Sequence, residues 1–218
     1  MKLNNIRKYF EKDKVVDAHT YYKSGDINLK IISSLKENKK TLSLGCGGGR
    51  EVKKLVEKGH KVIAIDFAKN MIAMSQHIEP NAEYICIDAN IFAEQNKNKK
   101  EFDYILGLFN FICEIKNKDR QKLIDNLMSM LKGEAIFTFN YVGERWQEVI
   151  KILASPFIAM LYQDLKNYKF GDIYPSYKNL RWCSHHFTKK QIKKLFKNYD
   201  YEIKNNIVYV KNKSLFKI

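Results

Sequence analysis

The chain is short of residues that break or staple structure. It has only three prolines in 218 residues, and no Pro/Gly-rich stretch or internal repeat marks a linker between domains. The four cysteines, Cys46, Cys86, Cys113 and Cys183, are far apart. Without a C-x-x-C pair a zinc site is not expected, and no metal is. Most of these cysteines fall in or beside expected strands, where Cys usually acts as a small buried hydrophobe, so free thiols in a reducing compartment are the expectation. No apolar run approaches the ~20 residues that span a bilayer. Residues 1–7 lack the apolar core of a secretory signal. A cytoplasmic protein with no membrane partner is expected, as monomer or homodimer.

Acidic residues are also scarce, 24 against 39 Lys and Arg, for a formal net charge of +15. Such a balance suits a nucleic acid or an anionic surface. The lysines, however, are spread along the chain, and runs such as residues 96–100 read as solvated loops. No Arg-rich segment with interleaved aromatics occurs. A nucleic-acid partner is compatible with the composition and not favoured by it. A hydrophobic content of 45% with 13% aromatics fits a globular enzyme and argues against disorder. The length suits one domain over 1–218, with a helical cap at 1–38.

What is present is an alternation of strands and helices. Strands are predicted at 41–45, 61–66, 83–88, 102–109 and 133–140, and helices at 50–58, 69–77 and 117–131. Before them, Ile27, Ile31, Ile32 and Leu35 recur at helical spacing and should pack on the sheet. The alternation implies a parallel sheet with helices on both faces. After Phe139 the pattern changes: helices are predicted at 144–154 and 157–167, then an irregular segment at 169–175. Residues 141–182 therefore read as a helical insertion, by itself a packing extension or a dimer surface. Thr188 is a good N-cap for a helix over 189–198. Strands at 201–204 and 207–210 flank Asn205-Asn206, a plausible hairpin turn.

The first strand breaks into Gly45-Cys46-Gly47-Gly48-Gly49-Arg50. Such a turn lets a ligand approach the backbone where a Cβ would collide, and the helix after it starts with unpaired N–H groups. Asp66 ends the second strand about 20 residues on, where a nucleotide-binding βαβ unit grips a ribose diol. The dinucleotide fingerprint G-x-G-x-x-G needs a third glycine where this chain has Arg50, which disfavours a nicotinamide cofactor.

The spacing G-x-G-x-G resembles motif I of the class I S-adenosylmethionine-dependent methyltransferases. Residues 64–72, 84–89, 102–109 and 133–139 resemble the elements that follow it in that family, so the likeness runs from about residue 40 to 139 in order. It implies a Rossmann-like α/β sheet of seven mostly parallel strands, the last antiparallel, with S-adenosylmethionine as cofactor and S-adenosylhomocysteine as product. On this resemblance the insertion at 141–182 is instead a lid on the substrate side. It implies that Gly45, Gly47 and Gly49 shape the cofactor turn and that Asp66 holds the ribose. Phe67 then lies at the adenine, Asp88 receives its amino group and Ala89 offers a backbone N–H. Leu108, with Phe109 and Asn110, lines the cleft near sulfur and acceptor, and Tyr22 closes over the cofactor. Each has a plainer structural role too: Asp88, for instance, could simply start a helical turn.

No N-P-P-Y or D-P-P-Y follows the fourth strand, which reads Asn110-Phe111-Ile112-Cys113. Amino methylation of macromolecules by that motif is disfavoured. The reading is methyl transfer to an O or N atom of a small polar metabolite by in-line displacement. His185 and His186 are candidate bases. Tyr141, Arg145, Tyr174 and Arg181 are candidates for holding the acceptor. The alternatives are an RNA methyltransferase, suggested by the net charge alone, and a catalytically inactive cofactor-binding partner subunit.

Overall fold

The computed structural model describes residues 8–12, 14–16, 27–141, 155–156, 172–173, 176–177, 180–181, 184–204 and 206–211. After helical residues at 8–10 and 14–16, the chain forms α1 (Ile27–Ser34), β1 (Lys40–Leu44), α2 (Arg50–Glu57), β2 (Lys61–Asp66), α3 (Lys69–Ile78), β3 (Glu83–Cys86) and α4 (Ala89–Asn96). Then come β4 (Phe102–Gly107), α5 (Phe111–Glu114), α6 (Asn117–Met130), β5 (Leu131–Thr138), α7 (Lys189–Leu195), β6 (Asp200–Lys204) and β7 (Ile207–Lys211). Between β5 and α7, Asp172–Ile173 pairs with Ser184–His185, and Ser176–Tyr177 with Leu180–Arg181.

The seven strands form one sheet in the order β6-β7-β5-β4-β1-β2-β3. Only β7 runs against its neighbours, pairing antiparallel with both β5 and β6. Ser43 of β1 is level with Ala64 of β2 on one side and Leu106 of β4 on the other. From β1 the chain winds outward to β3, then returns to β4 and winds the other way to β5. Strand order reverses between β1 and β4, and at such a switch point a crevice opens beyond the carboxyl ends of the strands.

Alternation along each strand divides the core in two, because successive side chains face opposite sides of a sheet. Leu42, Leu44, Ile65, Ile105 and Phe137 meet Phe92 of α4, Leu123 and Leu127 of α6 and Ile192 of α7. Val62, Ala64, Leu106 and Ile136 meet Ile31 and Ile32 of α1, Val52 and Leu55 of α2 and Ile72 of α3. Burial on both faces explains why these strands read as near-continuous apolar runs.

Departures from the sequence reading have local causes. β4 stops at Gly107 because Phe109 and Asn110 take left-handed backbone angles. β3 stops at Cys86, and Asp88 caps α4. β5 starts directly at the end of α6, at Leu131. Ile27 is exposed at the outer edge of α1, and Cys86 is exposed where a buried thiol was expected. Asp172–Ile173, read as irregular, is paired. The helices expected at 144–154 and 157–167 lie outside the described residues.

The start of α7 follows expectation. Thr188 Oγ1 accepts from the Gln191 N–H at 3.2 Å, and Gln191 Oε1 accepts from the Thr188 N–H at 2.7 Å, a reciprocal capping box. Thr188→Ala should cost about 1 kcal/mol and lower the thermal midpoint by about 2–4 °C, measured by circular dichroism melting.

Candidate active site

A cavity of about 580 Å³ opens at the carboxyl ends of the central strands. Gly45, Gly47, Asp66, Phe67, Asp88 and Ala89 line one half, from the loops after β1, β2 and β3. The other half is lined from Leu108 to Phe111, then by Glu114, Lys116, Asp119 and Asn140, after β4 and β5. Tyr9 and Phe10 add aromatic surface from the N-terminal segment, Phe10 meeting the Phe67 ring edge-on at 5.9 Å.

The glycine turn is tied to β2. Asp66 Oδ2 accepts from the Gly47 N–H at 3.1 Å, Asp66 Oδ1 accepts from the Ala68 N–H at 2.9 Å, and the Cys46 N–H donates to the Ile65 carbonyl at 3.0 Å. Burial raises the Asp66 pKa, and the backbone donors oppose that rise. Gly47 has φ +54°, and a Cβ built there meets nothing within 4 Å. The side of Gly47 that any other residue would fill is therefore left as open cavity. At Gly45 (φ +59°) a Cβ would press on the Phe111 ring at 2.8 Å. Gly49 is not among the lining residues: it is the left-handed residue before α2, packed on Ser75. Arg50 pairs with Glu51, which also accepts from Asn28 Nδ2 at 3.0 Å.

Asp88 does two things. Its Oδ1 accepts from the Asn90 N–H at 2.8 Å and from Asn90 Nδ2 at 3.0 Å, starting α4, while the residue faces the cavity. At the end of β4, Phe109 (φ +52°) and Asn110 (φ +60°) are consecutive left-handed residues. This conformation is strained for a bulky side chain, by roughly 1–3 kcal/mol. The Asn110 N–H donates to Thr138 Oγ1 at 2.8 Å and holds the turn. The result is a Phe109 ring left 42% exposed at the cavity.

The two histidines sit elsewhere. His185 and His186 are buried at 1% and 7% exposure and do not line the cavity. His185 Nδ1 lies 2.5 Å from Asp172 Oδ1, and its ring meets Phe187 edge-on at 4.5 Å. Burial lowers the His185 pKa, outweighing the upward pull of Asp172. Tyr141 is buried beside Phe187 in a parallel bridge, also away from the cavity. Arg181 is in the short ladder with Ser176. Tyr22, Arg145 and Tyr174 lie outside the described residues.

Sequence reasoning missed Tyr9, Phe10, Phe111 and Glu114. For Glu114 a signal existed: one acid inside the apolar run from Phe109 to Ile115. Its Oε2 has no solvent exposure, and burial lifts its pKa to about 7 against the opposing pull of Ser184 and Arg120. The neighbouring Cys113 thiol is pushed up to about 12 by burial, so it is no nucleophile at neutral pH. Among the described residues no group of three or more His, Cys, Asp or Glu could hold a metal ion, and no helix is long and apolar enough to cross a membrane.

Residues 41–134 match the model of a family described as methyltransferase domain. Over those residues, less than half of the chain, the sequence resembles a methyltransferase domain. Its fold is similar to a solved S-adenosylmethionine-dependent methyltransferase from Methanosarcina mazei, with TM-score 0.67 and 18% identity, over 84% of this chain and 94% of that one. Magnesium protoporphyrin IX methyltransferase from Synechocystis PCC 6803, solved with S-adenosylhomocysteine, gives TM-score 0.62 and 13% identity over 97% and 100%. The 1,6-didemethyltoxoflavin-N1-methyltransferase from Burkholderia thailandensis, solved with 1,6-didemethyltoxoflavin and S-adenosylhomocysteine, gives 0.58 and 13% over 96% and 88%. Curated proteins offer no sequence match.

Glu114 gives the protein a stability signature. A carboxyl whose folded pKa is raised to about 7 favours the fold while protonated, and that advantage is lost as pH rises from its ordinary value through the folded one. Ionised Glu114 costs the fold on the order of 3 kcal/mol. Glu114→Gln should therefore match wild type in urea denaturation at pH 4 and exceed it in stability at pH 8.

Proposed function

We propose that this methyltransferase moves the methyl group of S-adenosylmethionine to an oxygen or nitrogen atom of a small polar metabolite, in the cytoplasm. The observation that carries the reading is the pairing of an open Gly47 face with the Asp66 carboxylate at the mouth of β1 and β2. S-adenosylmethionine, when bound, supplies a methyl group already activated by the positive charge on sulfur. The protein then has to align donor and acceptor and accept a proton.

In this reading Asp66 accepts from the ribose hydroxyls, since an ionised carboxylate has acceptor capacity beyond its two backbone donors. Gly45 and Gly47 admit the cofactor to the backbone, and Gly49 sets the entry of α2. Phe67 and Ala89 flank the adenine and Asp88 receives its amino group, using capacity that capping α4 leaves over. Leu108 faces the sulfur. Tyr22, with Tyr9 and Phe10, belongs to the N-terminal cover. The acceptor takes the half of the cavity after β4 and β5, beneath the 141–182 segment that carries Arg145, Tyr174 and Arg181. The burial of His185 and His186 away from the cavity shifts proton transfer to another group.

Calorimetric titration tests the cofactor assignment. S-adenosylhomocysteine should bind and NAD should not. Asp66→Ala should weaken S-adenosylhomocysteine roughly 10- to 100-fold, as expected for losing charge-assisted hydrogen bonds. Gly47→Ala should cost the fold only about 1–2 kcal/mol for its left-handed φ while blocking the ligand by at least about tenfold. Binding of NAD alone, or full affinity in both variants, would overturn the reading.

A further inference from the structure

The half of the cavity after β4 and β5 is walled by rings that the core only partly covers. Phe109 lines the cavity and stays 42% exposed, the one aromatic among the exposed large apolar side chains of the described residues. Its φ of +52° strains a bulky residue, whereas asparagine, present next to it as Asn110, adopts such angles readily. The backbone turn by itself would be better served by a smaller side chain. Three hydrogen bonds hold that turn. The Asn110 N–H donates to Thr138 Oγ1 at 2.8 Å, the Phe111 N–H to the Leu108 carbonyl at 3.2 Å, and the Cys113 N–H to the Asn110 carbonyl at 2.8 Å. Strain of this kind persists only where the surroundings fix it, and it gathers at sites that hold ligands.

Phe111 continues the surface. It is half-buried, it lines the cavity, and its ring fills space that two glycines leave open. A Cβ at Gly45 would come within 2.8 Å of the ring, and one at Gly107 within 3.3 Å. The ring therefore sits where the glycine turn after β1 meets the end of β4, at the seam between the two halves of the cavity. Ile115 adds apolar surface on the same side, and Lys116, Asp119 and Asn140 add polar groups.

We infer that the methyl acceptor is a flat aromatic molecule, held by its ring against Phe109 and Phe111 and carrying the reactive O–H or N–H group on that ring. The inference rests on the methyltransferase reading of the cavity and narrows its acceptor. Ring pairs gain more than the area they bury, through the attraction of a positive edge for a negative face. A rigid ring also loses little conformational freedom on binding. Lys116, Asp119 and Asn140 meet polar substituents at its rim. The ring-borne oxygen or nitrogen gives a lone pair to the methyl carbon. The carbon–sulfur bond breaks with its electron pair on sulfur, and the acceptor proton leaves to water.

Nuclear magnetic resonance of protein with ¹³C-labelled phenylalanine rings tests it, with S-adenosylhomocysteine filling the nucleoside half and again without it. The probes are phenol with cyclohexanol and β-naphthol with decahydro-β-naphthol, each pair matched in skeleton and differing in aromaticity. At least one aromatic probe should bind at least about threefold tighter than its saturated partner. It should also shift the ring signal that is missing in Phe109→Asn. Asparagine accepts the left-handed backbone, so that variant keeps the turn, and it should bind the aromatic probe roughly tenfold or more weakly. Phe109→Tyr, which keeps a ring on the same backbone, should bind it like wild type. Binding of neither aromatic probe, equal or tighter binding of both saturated partners, an unmoved Phe109 signal, or wild-type affinity in Phe109→Asn would overturn the inference. A wild-type protein that does not bind S-adenosylhomocysteine would overturn the cofactor reading instead. The series without that ligand still shows whether Phe109 takes a flat ring, which separates the two failures.

Discussion

The carboxylate of Asp66 is the joint on which both sheet and site depend. Its two oxygens hold the Gly47 and Ala68 amides, and its own carbonyl accepts from Ile87. One residue thus ties the turn after β1, the end of β2 and the start of the loop after β3. A parallel sheet leaves the carboxyl ends of its strands with backbone groups that no ladder satisfies. Asp66 satisfies several at once, and the turn geometry it imposes also empties the space beside Gly47. Burial penalises the charge that does this. The backbone donors keep a carboxylate acceptable there, leaving acceptor capacity directed at whatever enters the cavity.

The acceptor half follows a different logic. Where the β1–β3 side is built from satisfied hydrogen bonds, the β4–β5 side accumulates unrelieved cost: two left-handed residues in sequence at Phe109 and Asn110, and a carboxyl buried with one oxygen unpaired at Glu114. Strained and under-satisfied groups concentrate where function needs them. The surrounding core, from Leu42 through Ile105 to Phe137, is closely packed and holds these groups in place.

Much of the architecture was legible in the sequence because it is written in period. The run 61–66 is apolar on both faces and 41–45 sets Leu42 and Leu44 between the small Thr41 and Ser43, so burial and parallel pairing could be read from the alternation with helices. Gly45, Gly47 and Asp66 were legible because positive φ and close approach demand glycine, and because a strand-end carboxylate has few other uses. The acceptor side was not. His185 and His186 looked reactive by residue type, yet a partner 13 residues earlier, Asp172, holds the first of them in a buried pair. No local pattern announces such a contact. Glu114 was hidden for the opposite reason: its significance lies in what fails to contact it. Tyr9 and Phe10 reach the cavity from far away in the chain, a placement set by tertiary packing alone.

The position of β7 has a consequence for how the chain is made. β7 is the last of the described strands to be synthesised, yet it lies between β5 and β6. Until it arrives, β5 is an edge, with one row of amides and carbonyls open to any other strand. β6, already emerged, has no strand beside it in the native order. The nascent protein therefore carries an unpaired border from the completion of β5 at Thr138 until β7 is made from Ile207 on, the kind of border that recruits neighbouring chains. Ribosomes translating one message in close succession would bring such borders together. For this protein, crowding on the polysome is a more demanding moment than any it meets once β7 is in place.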